Sequence, residues 1–95
     1  MNDFFDAVRC FLLDYLPKHR CLSENTIRSY KQTLNLFVSY MRDEKGVMAV
    51  ELTFSRMNRD AILGFLTWLE TVRKCSASTR NQRLMALRSF LDFAG

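Results

Sequence analysis

Apolar residues recur at spacings of three and four along nearly the whole chain, and this periodicity constrains the fold more than any other feature. Only three glycines and one proline interrupt it among 95 residues. Four stretches carry the pattern, about 3–16, 24–42, 59–73 and 77–93, each with an apolar stripe on one helical face. The length suits one domain over residues 1–95. The sequence therefore predicts an all-α domain of four helices in two helical hairpins, and it disfavours a turn-rich β-sandwich.

Helix boundaries are marked by capping and breaking residues. A polar residue that can accept a hydrogen bond from the first helical turn precedes each stretch. These predicted N-caps are Asn2, Ser23, Asn58 and Ser76. Pro17 is predicted to stop the first helix, and Gly46 marks the break after the second. The apolar residues between the second and third helices are predicted to cover the end of the core: Val47, Val50, Leu52 and Phe54.

A weak internal repeat relates the second and fourth helices. Residues 23–26 align with residues 76–79, and each segment starts with Ser and ends with Thr. Further on, Leu34 aligns with Leu87 and Phe37 with Phe90. Two interpretations stay open. The match is chance combined with a common capping chemistry, or the two helices are equivalent members of two hairpins with their N-termini presented alike.

Charge is distributed unevenly along the chain. The formal net charge is +4, from 14 basic and 10 acidic residues. Residues 73–91 carry five basic residues and no acid, and residues 18–42 are also mostly basic. Both segments contain a predicted helix. Folding could bring two such blocks onto one face, which is typical of a protein that binds a polyanion.

Enzymatic and metal-binding signatures are missing from the sequence. The three cysteines form no C-x-x-C pair and His19 stands alone, so we expect free thiols and no metal. Neither a Gly-rich phosphate loop nor a nucleophile with its base is recognisable, so we expect no catalysis, no cofactor and no small-molecule ligand. No apolar run reaches the roughly 20 residues that span a bilayer, and the start lacks a basic region. These features predict a cytoplasmic protein.

The polar faces of the second and fourth helices are the best candidates for a binding site. Their side chains are short polar groups able to reach base edges, bordered by Arg and Lys able to reach phosphates. The face on helix two comprises Asn25, Arg28, Ser29 and Gln32 with Lys31 beside it. The face on helix four comprises Ser78, Gln82, Met85 and Ser89 with Thr79 and Arg83 beside it. A merely solvated face is the alternative.

Three segments of the chain resemble segments of the N-terminal core-binding domain of tyrosine recombinases, the phage integrases, and they follow one another in the same order. Residues 76–91, "SASTRNQRLMALRSFL", look like its last main helix, and residues 22–30, "LSENTIRSY", look like its second. The segment from Leu52 to Leu69, with its "GFLTWL" end, also fits. The resemblance covers residues 3–94, and its specificity lies in the order and separation of the segments.

The resemblance implies a SAM-like four-helix domain that forms half of a C-shaped clamp around duplex DNA. In that family the second and fourth helices face adjacent major grooves, and the first helix packs against another protomer of the synaptic complex. The implied DNA contacts are Asn25, Thr26, Ser29, Ser78, Thr79 and Gln82, with Arg28, Lys31, Arg80 and Arg83 as phosphate or base partners. In one departure from the family, Arg80 falls on the inner side of helix four.

The family's tyrosine nucleophile and its partners lie in a C-terminal domain, which we expect to follow Gly95 in a longer recombinase of prokaryotic or phage origin. None of the three tyrosines present here is expected to be that nucleophile. The main alternative is a helical protein–protein interaction domain without DNA binding. A helix-turn-helix regulator fits less well, because the gap of about 15 residues between helices two and three exceeds that motif's short turn.

Overall fold

Four helical elements make up the chain in the computed structural model, which describes residues 3–94. Helix α1 covers Asp3–Cys10 and continues directly as a π-helical segment over Phe11–His19. Helix α2 covers Glu24–Lys45, α3 covers Arg59–Thr71 and α4 covers Ala77–Ala94. The described part of the chain contains no strand. The predicted all-α fold of two hairpins, α1–α2 and α3–α4, is confirmed, while the predicted cap Asn2 lies outside the described residues.

The end of the first helix differs from the prediction. Pro17 does not stop it, because the helix runs on to His19 in π geometry. The backbone N–H of Arg20 donates to the carbonyl oxygen of Tyr15, five residues back, at 3.0 Å. In an α-helix the proline ring clashes with the carbonyl four residues earlier. The wider π turn moves that carbonyl aside, so the ring is accommodated.

Phenylalanine rings fill the core where the helices meet. Phe90 of α4 contacts Phe4 and Phe11 of the first element at ring-centroid distances of 5.7 and 5.3 Å. Phe37 of α2 contacts Phe65 of α3 at 5.4 Å, edge to face. Such edge-to-face pairs add a little to the free energy of burial. The core therefore joins all four helical elements.

The segment between α2 and α3 forms two short 3₁₀ turns. Val47 and Leu52 are buried there and Phe54 is half-buried, so they cover the core as predicted. Val50 was expected to join them, but its side chain is 87% exposed. It sits inside the first 3₁₀ turn, Ala49–Glu51, of which no residue is buried.

The two hairpins share one turn geometry, 53 residues apart. The N–H of Leu22 donates to the carbonyl of Leu16 at 3.1 Å, and the N–H of Cys75 donates to that of Leu69 at 2.9 Å. The residue before each donor has a positive φ, 53° at Cys21 and 58° at Lys74. Both turns therefore close a helix in the same left-handed conformation.

The caps that follow these turns also match. The Oγ of Ser23 accepts from the N–H of Thr26 at 3.3 Å, and the Oγ of Ser76 accepts from that of Thr79 at 3.2 Å. Leu34 and Leu87 are both buried, as are Phe37 and Phe90. Because turn, cap and buried positions agree, the structure favours equivalent hairpins over chance as the origin of the repeat.

Helix α3 approaches α2 closely at Gly64. A Cβ atom placed there would collide with the Oη of Tyr40 on α2. Tyr40 is buried and its ring contacts Phe65 and Trp68, so it is not free to move aside. The absence of a side chain at Gly64 sets the distance between the two helices.

Candidate nucleic-acid interface

The first half of α2 and the middle of α4 lie side by side and form an open groove of about 410 Å³. Its lining combines polar side chains with the ring of Tyr30 and the thioether of Met85. We call it the α2–α4 groove; it is lined by Asn25, Thr26, Ser29, Tyr30, Gln82 and Met85. Five of the residues predicted from sequence therefore come together from two helices. No Arg or Lys is among the described lining residues.

Arg83, predicted as a phosphate or base partner, is hydrogen-bonded within the fold. Its Nη1 donates to the carbonyl oxygen of Ser29 at 3.1 Å and to the Oγ1 of Thr33 at 3.0 Å. The Thr33 hydroxyl in turn donates to the same Ser29 carbonyl at 3.0 Å. We call this three-residue network the Arg83 clasp. It joins α4 to α2 through Ser29, which also lines the groove, and engages Nη1 of the guanidinium.

The clasp is partly buried. Thr33 is fully buried, and Nε of Arg83 is buried without a hydrogen-bond partner among the described residues. A guanidinium held in this way loses hydration, and the charge-assisted bonds to Ser29 and Thr33 offset that loss. The relative position of α2 and α4 therefore depends on this contact.

Arg80, the other arginine implied on α4, is also engaged. Its Nε lies 2.6 Å from Oε1 of Glu70 on α3, an ion pair whose side chains are partly exposed. This agrees with its predicted place on the inner side of α4. Earlier in the same basic block, the guanidinium of Arg73 lies 5.8 Å from the centre of the Trp68 ring. Three of the five basic residues between 73 and 91 thus have partners within the protein.

Arg28 and Lys31 border a second groove, between α1 and α2, of about 520 Å³. Arg9 reaches it from α1, and Leu12, Leu13, Glu24 and Ile27 complete its lining. Asn25 and Ser29 point from α2 toward α4, whereas Arg28 and Lys31 lie on the side toward α1. The predicted polar and basic residues of α2 therefore flank each other along one exposed surface.

The other predicted residues lie near the α2–α4 groove without lining it. Gln32 and Ser78 are exposed on α2 and α4. Thr79 is half-buried in the cap of α4, where its hydroxyl accepts from that of Ser76 at 3.2 Å. Thr26 has the same place in the cap of α2, 3.0 Å from the hydroxyl of Ser23. These two threonines order the helix N-termini.

Sequence reasoning missed three contributors to this region. The sequence indicated no binding role for Tyr30, yet its ring lines the groove while stacking on Phe11 at 6.1 Å. Arg9 gave no signal, because it lies on a helix that is otherwise acidic and apolar. Thr33 did give one. It is a polar residue on the inner stripe between Tyr30 and Phe37, and buried polar groups require a hydrogen-bond partner.

The structure supplies two further observations. No helix between Asp3 and Ala94 is long and apolar enough to cross a membrane. Within the same range, no three His, Cys, Asp or Glu side chains lie close enough together to hold a metal ion.

Comparisons with known proteins place the chain. Residues 11–95 match the family model described as "phage integrase, N-terminal SAM-like domain". The chain is 32% identical over 93 residues to tyrosine recombinase XerD of Oceanobacillus iheyensis, covering 98% of this chain and 27% of that protein. It is 35% identical over 75 residues to the putative integrase/recombinase y4rD of Sinorhizobium fredii, covering 79% of this chain and 27% of that protein.

A third relative is tyrosine recombinase XerC of Herpetosiphon aurantiacus, 31% identical over 81 residues, which cover 85% of this chain and 24% of that protein. No significant match to a solved structure was found. The chain spans about a quarter of the length of the curated relatives it matches. The family model covers most of the chain, and the all-α fold agrees with it, so this chain belongs to the N-terminal SAM-like domain family of phage integrases, the tyrosine recombinases.

Proposed function

We propose that this chain is the DNA-binding N-terminal domain of a site-specific tyrosine recombinase and holds duplex DNA at the recombination site. The observation that carries the proposal is the exposed surface of α2 and α4. There the polar α2–α4 groove lies beside Arg28 and Lys31, for which the described residues 3–94 offer no ion pair. Polar side chains suit base edges, and the neighbouring cations suit phosphates. The catalytic residues belong to another domain of the parent recombinase, which acts in the cytoplasm on DNA integration and recombination.

The phosphate contacts in this proposal are Arg28, Lys31 and Arg9. All three are exposed and border one groove. No ion pair of theirs is recorded among the described residues. Arg80 and Arg83 are left out of this role because Glu70 and the clasp engage them. A guanidinium that already donates to a carboxylate or carbonyl has fewer N–H donors left for a phosphate than Arg9 or Arg28 has.

The N-termini of α2 and α4 support the same orientation. Both begin with a serine cap, and the free backbone N–H groups and dipole at the start of a helix favour a negative group. Ser78 lies in the first turn of α4, and Asn25 lies in the first turn of α2. Each helix can therefore bind a phosphate at its start and contact a base with the following turn.

An anisotropy titration of a labelled duplex at several salt concentrations tests the proposal. Each neutralised phosphate contributes about −0.9 to the slope of log K against log salt. Three contacts predict a slope of about −3 and an affinity that weakens steeply between low and physiological salt. Absence of binding at low salt, or binding with no salt dependence, would contradict the proposal.

Protein–protein interaction is the second candidate, favoured by one observation. The groove between α1 and α2 contains Leu13, whose side chain is 63% exposed, together with Leu12 and Ile27. An apolar groove of this kind suits another protomer of the recombinase, which the resemblance places against the first helix. Chemical-shift mapping with a duplex separates the candidates. Shifts in α2 and α4 support DNA binding, whereas an unchanged spectrum leaves interaction as the function.

A further inference from the structure

The α2–α4 groove has a chemical character that narrows which base pairs it can recognise. Arginine or lysine paired with guanine O6 and N7 is the commonest base-specific contact in the major groove. The described lining of this groove holds neither residue type. Arg83 of α4 donates to Ser29 and Thr33 instead. Arg28 and Lys31 of α2 border the neighbouring groove between α1 and α2. The described lining of the groove therefore lacks the basic side chains that most often recognise G·C pairs.

The side chains that remain match adenine. Asn25 and Gln82 are both exposed on the groove walls, one from each helix. A carboxamide donates one hydrogen bond and accepts another, and adenine presents an acceptor at N7 and a donor at N6. Guanine presents two acceptors at the same edge, so a carboxamide is mismatched with it. Two amides on facing helices can therefore contact adenines at two positions.

Met85 supplies the complementary contact. Its side chain is 59% exposed and lies in the same groove as Gln82. More than half of this apolar residue is therefore left in contact with water in the free domain. In the major groove, the thymine C5-methyl is the main apolar group that such a side chain can contact. Contact with a thymine methyl would remove part of the exposed Met85 surface from water.

We infer that the α2–α4 groove recognises A·T base pairs from the major-groove side, with Asn25 and Gln82 contacting adenine and Met85 contacting the thymine methyl. The inference rests on the proposed DNA-binding function. It goes further by naming the class of base pair and the edge recognised. It also separates the roles of the residues: amides and thioether for specificity, Arg28 and Lys31 for affinity.

The first experiment measures the affinity of the whole 95-residue chain for three duplexes of equal length and equal flanks. Their central block holds alternating A·T, G·C or inosine·C pairs. An inosine·C pair looks like G·C in the major groove and lacks the guanine amino group that marks G·C in the minor groove. We expect the A·T duplex to bind about 5- to 150-fold more tightly than the G·C duplex for each pair recognised, and the inosine·C duplex to match G·C.

The second experiment assigns atoms to side chains. Replacing thymine by deoxyuridine removes only the methyl group, and replacing adenine by 7-deazaadenine removes only N7. We expect the wild-type protein to lose affinity for both modified duplexes. M85A should be insensitive to deoxyuridine and still respond to 7-deazaadenine, and Q82A should lose part of its response to 7-deazaadenine. M48A is the matched control, because Met48 is also exposed but lies outside the groove.

The outcomes separate this inference from the function on which it rests. Equal binding of all three duplexes, with a normal salt slope, overturns the A·T inference and leaves DNA binding in place. An inosine·C duplex that binds like A·T overturns it too, because recognition would then come from the minor groove or from duplex shape. A G·C preference has the same effect. No binding to any duplex at low salt is the failure of the proposed function itself.

Discussion

At the scale of single residues, the buried hydroxyl of Thr33 determines what Arg83 contacts. A helical wheel assigns Arg83 to the border of the exposed face, and its charge makes it an obvious phosphate ligand. The wheel also shows that Arg83 precedes Leu87 by four residues, which puts it above the buried stripe. Thr33 and the Ser29 carbonyl offer acceptors at that point, so the guanidinium turns inward. Its charge therefore predicted a surface role for Arg83, whereas the acceptors on α2 hold its side chain within the fold.

We predict that Thr33→Val destabilises the domain by about 1–3 kcal/mol, because the isosteric change leaves the Arg83 guanidinium and the Ser29 carbonyl short of partners. It should also weaken DNA binding without changing the salt slope, since no charge is removed. Urea unfolding and salt-dependent anisotropy measure the two effects.

Thr71→Val is the matched control for that change. The Thr71 hydroxyl donates to the Thr67 carbonyl four residues back at 2.9 Å, as Thr33 does to Ser29, but it is exposed and has no arginine partner. Its effect should stay within about 0.5 kcal/mol. Equal losses for the two variants, or a reduced salt slope for Thr33→Val, would refute a positioning role for the clasp.

At the scale of elements, the hairpin turns place non-glycine residues in a conformation that glycine adopts most easily. Cys21 and Lys74 have φ values of 53° and 58°, where a Cβ atom crowds the following carbonyl. The end of α2 shows the usual solution, with Gly46 at φ 67°. Both hairpin turns therefore store a small amount of backbone strain at equivalent positions.

Replacing either residue by glycine should stabilise the domain. Relief of the left-handed strain exceeds the extra entropy of glycine in the unfolded chain, leaving a net gain of about 0.5–1 kcal/mol for Cys21→Gly and for Lys74→Gly. For a domain of this size that corresponds to roughly 2–8 °C in Tm by calorimetry. Because the turns are equivalent, the gains should be similar and additive; a loss at either position would contradict the shared geometry.

The contact between α2 and α3 gives an element-scale prediction of opposite sign. Gly64→Ala should destabilise the domain by about 1–3 kcal/mol, although alanine is the better helix former, because the new methyl collides with Tyr40. Adding Tyr40→Phe removes the hydroxyl and should restore part of the loss. Thr67→Ala, at an exposed position of the same helix, serves as the control and should cost little. Additive effects of Gly64→Ala and Tyr40→Phe would mean that the two side chains do not meet.

At the scale of the whole molecule, the distribution of usable charge differs from the distribution along the sequence. The block 73–91 is free of acid in sequence, yet Glu70 and the Trp68 ring of α3 and the carbonyl of Ser29 on α2 engage three of its arginines. Arg9, Arg28 and Lys31, for which residues 3–94 offer no ion pair, border the groove between α1 and α2. Contacts within the fold therefore shift part of the unpaired positive charge from block 73–91 toward the first half of α2.

Lys31→Ala and Arg80→Ala test this shift, since each removes one positive charge. Lys31→Ala should weaken binding to all duplexes and reduce the magnitude of the salt slope by about 0.9. Arg80→Ala should leave the slope unchanged, because its charge is compensated by Glu70 in the free and bound states. Anisotropy titrations at four or more salt concentrations resolve a difference of this size. If Arg80→Ala reduced the magnitude of the salt slope more than Lys31→Ala did, Arg80 and not Lys31 would be the phosphate contact.

The sequence sufficed for those features that depend on neighbouring residues. The apolar spacing predicted the helices, and the caps at Ser23, Asn58 and Ser76 all accept the expected backbone hydrogen bond. The α2–α4 groove was predicted in part, because Asn25 and Ser29 are about one helical turn apart and so lie on the same side of α2. The partners of Arg80 and Arg83 did not follow, because they lie 10 and 50 or more residues away and depend on how the hairpins pack. Local helix propensity also could not predict that the first helix continues past Pro17 in π geometry.

The matching turns of the two hairpins also bear on how the chain folds. Each turn joins helices that are adjacent in sequence, so a hairpin can close without waiting for the other half of the protein. Domains dominated by such local contacts have low contact order and fold in microseconds to milliseconds. The clasp between α2 and α4 spans the halves and would form only when the finished hairpins dock. Stopped-flow chevrons should then show Thr33→Val accelerating unfolding while leaving the folding rate nearly unchanged.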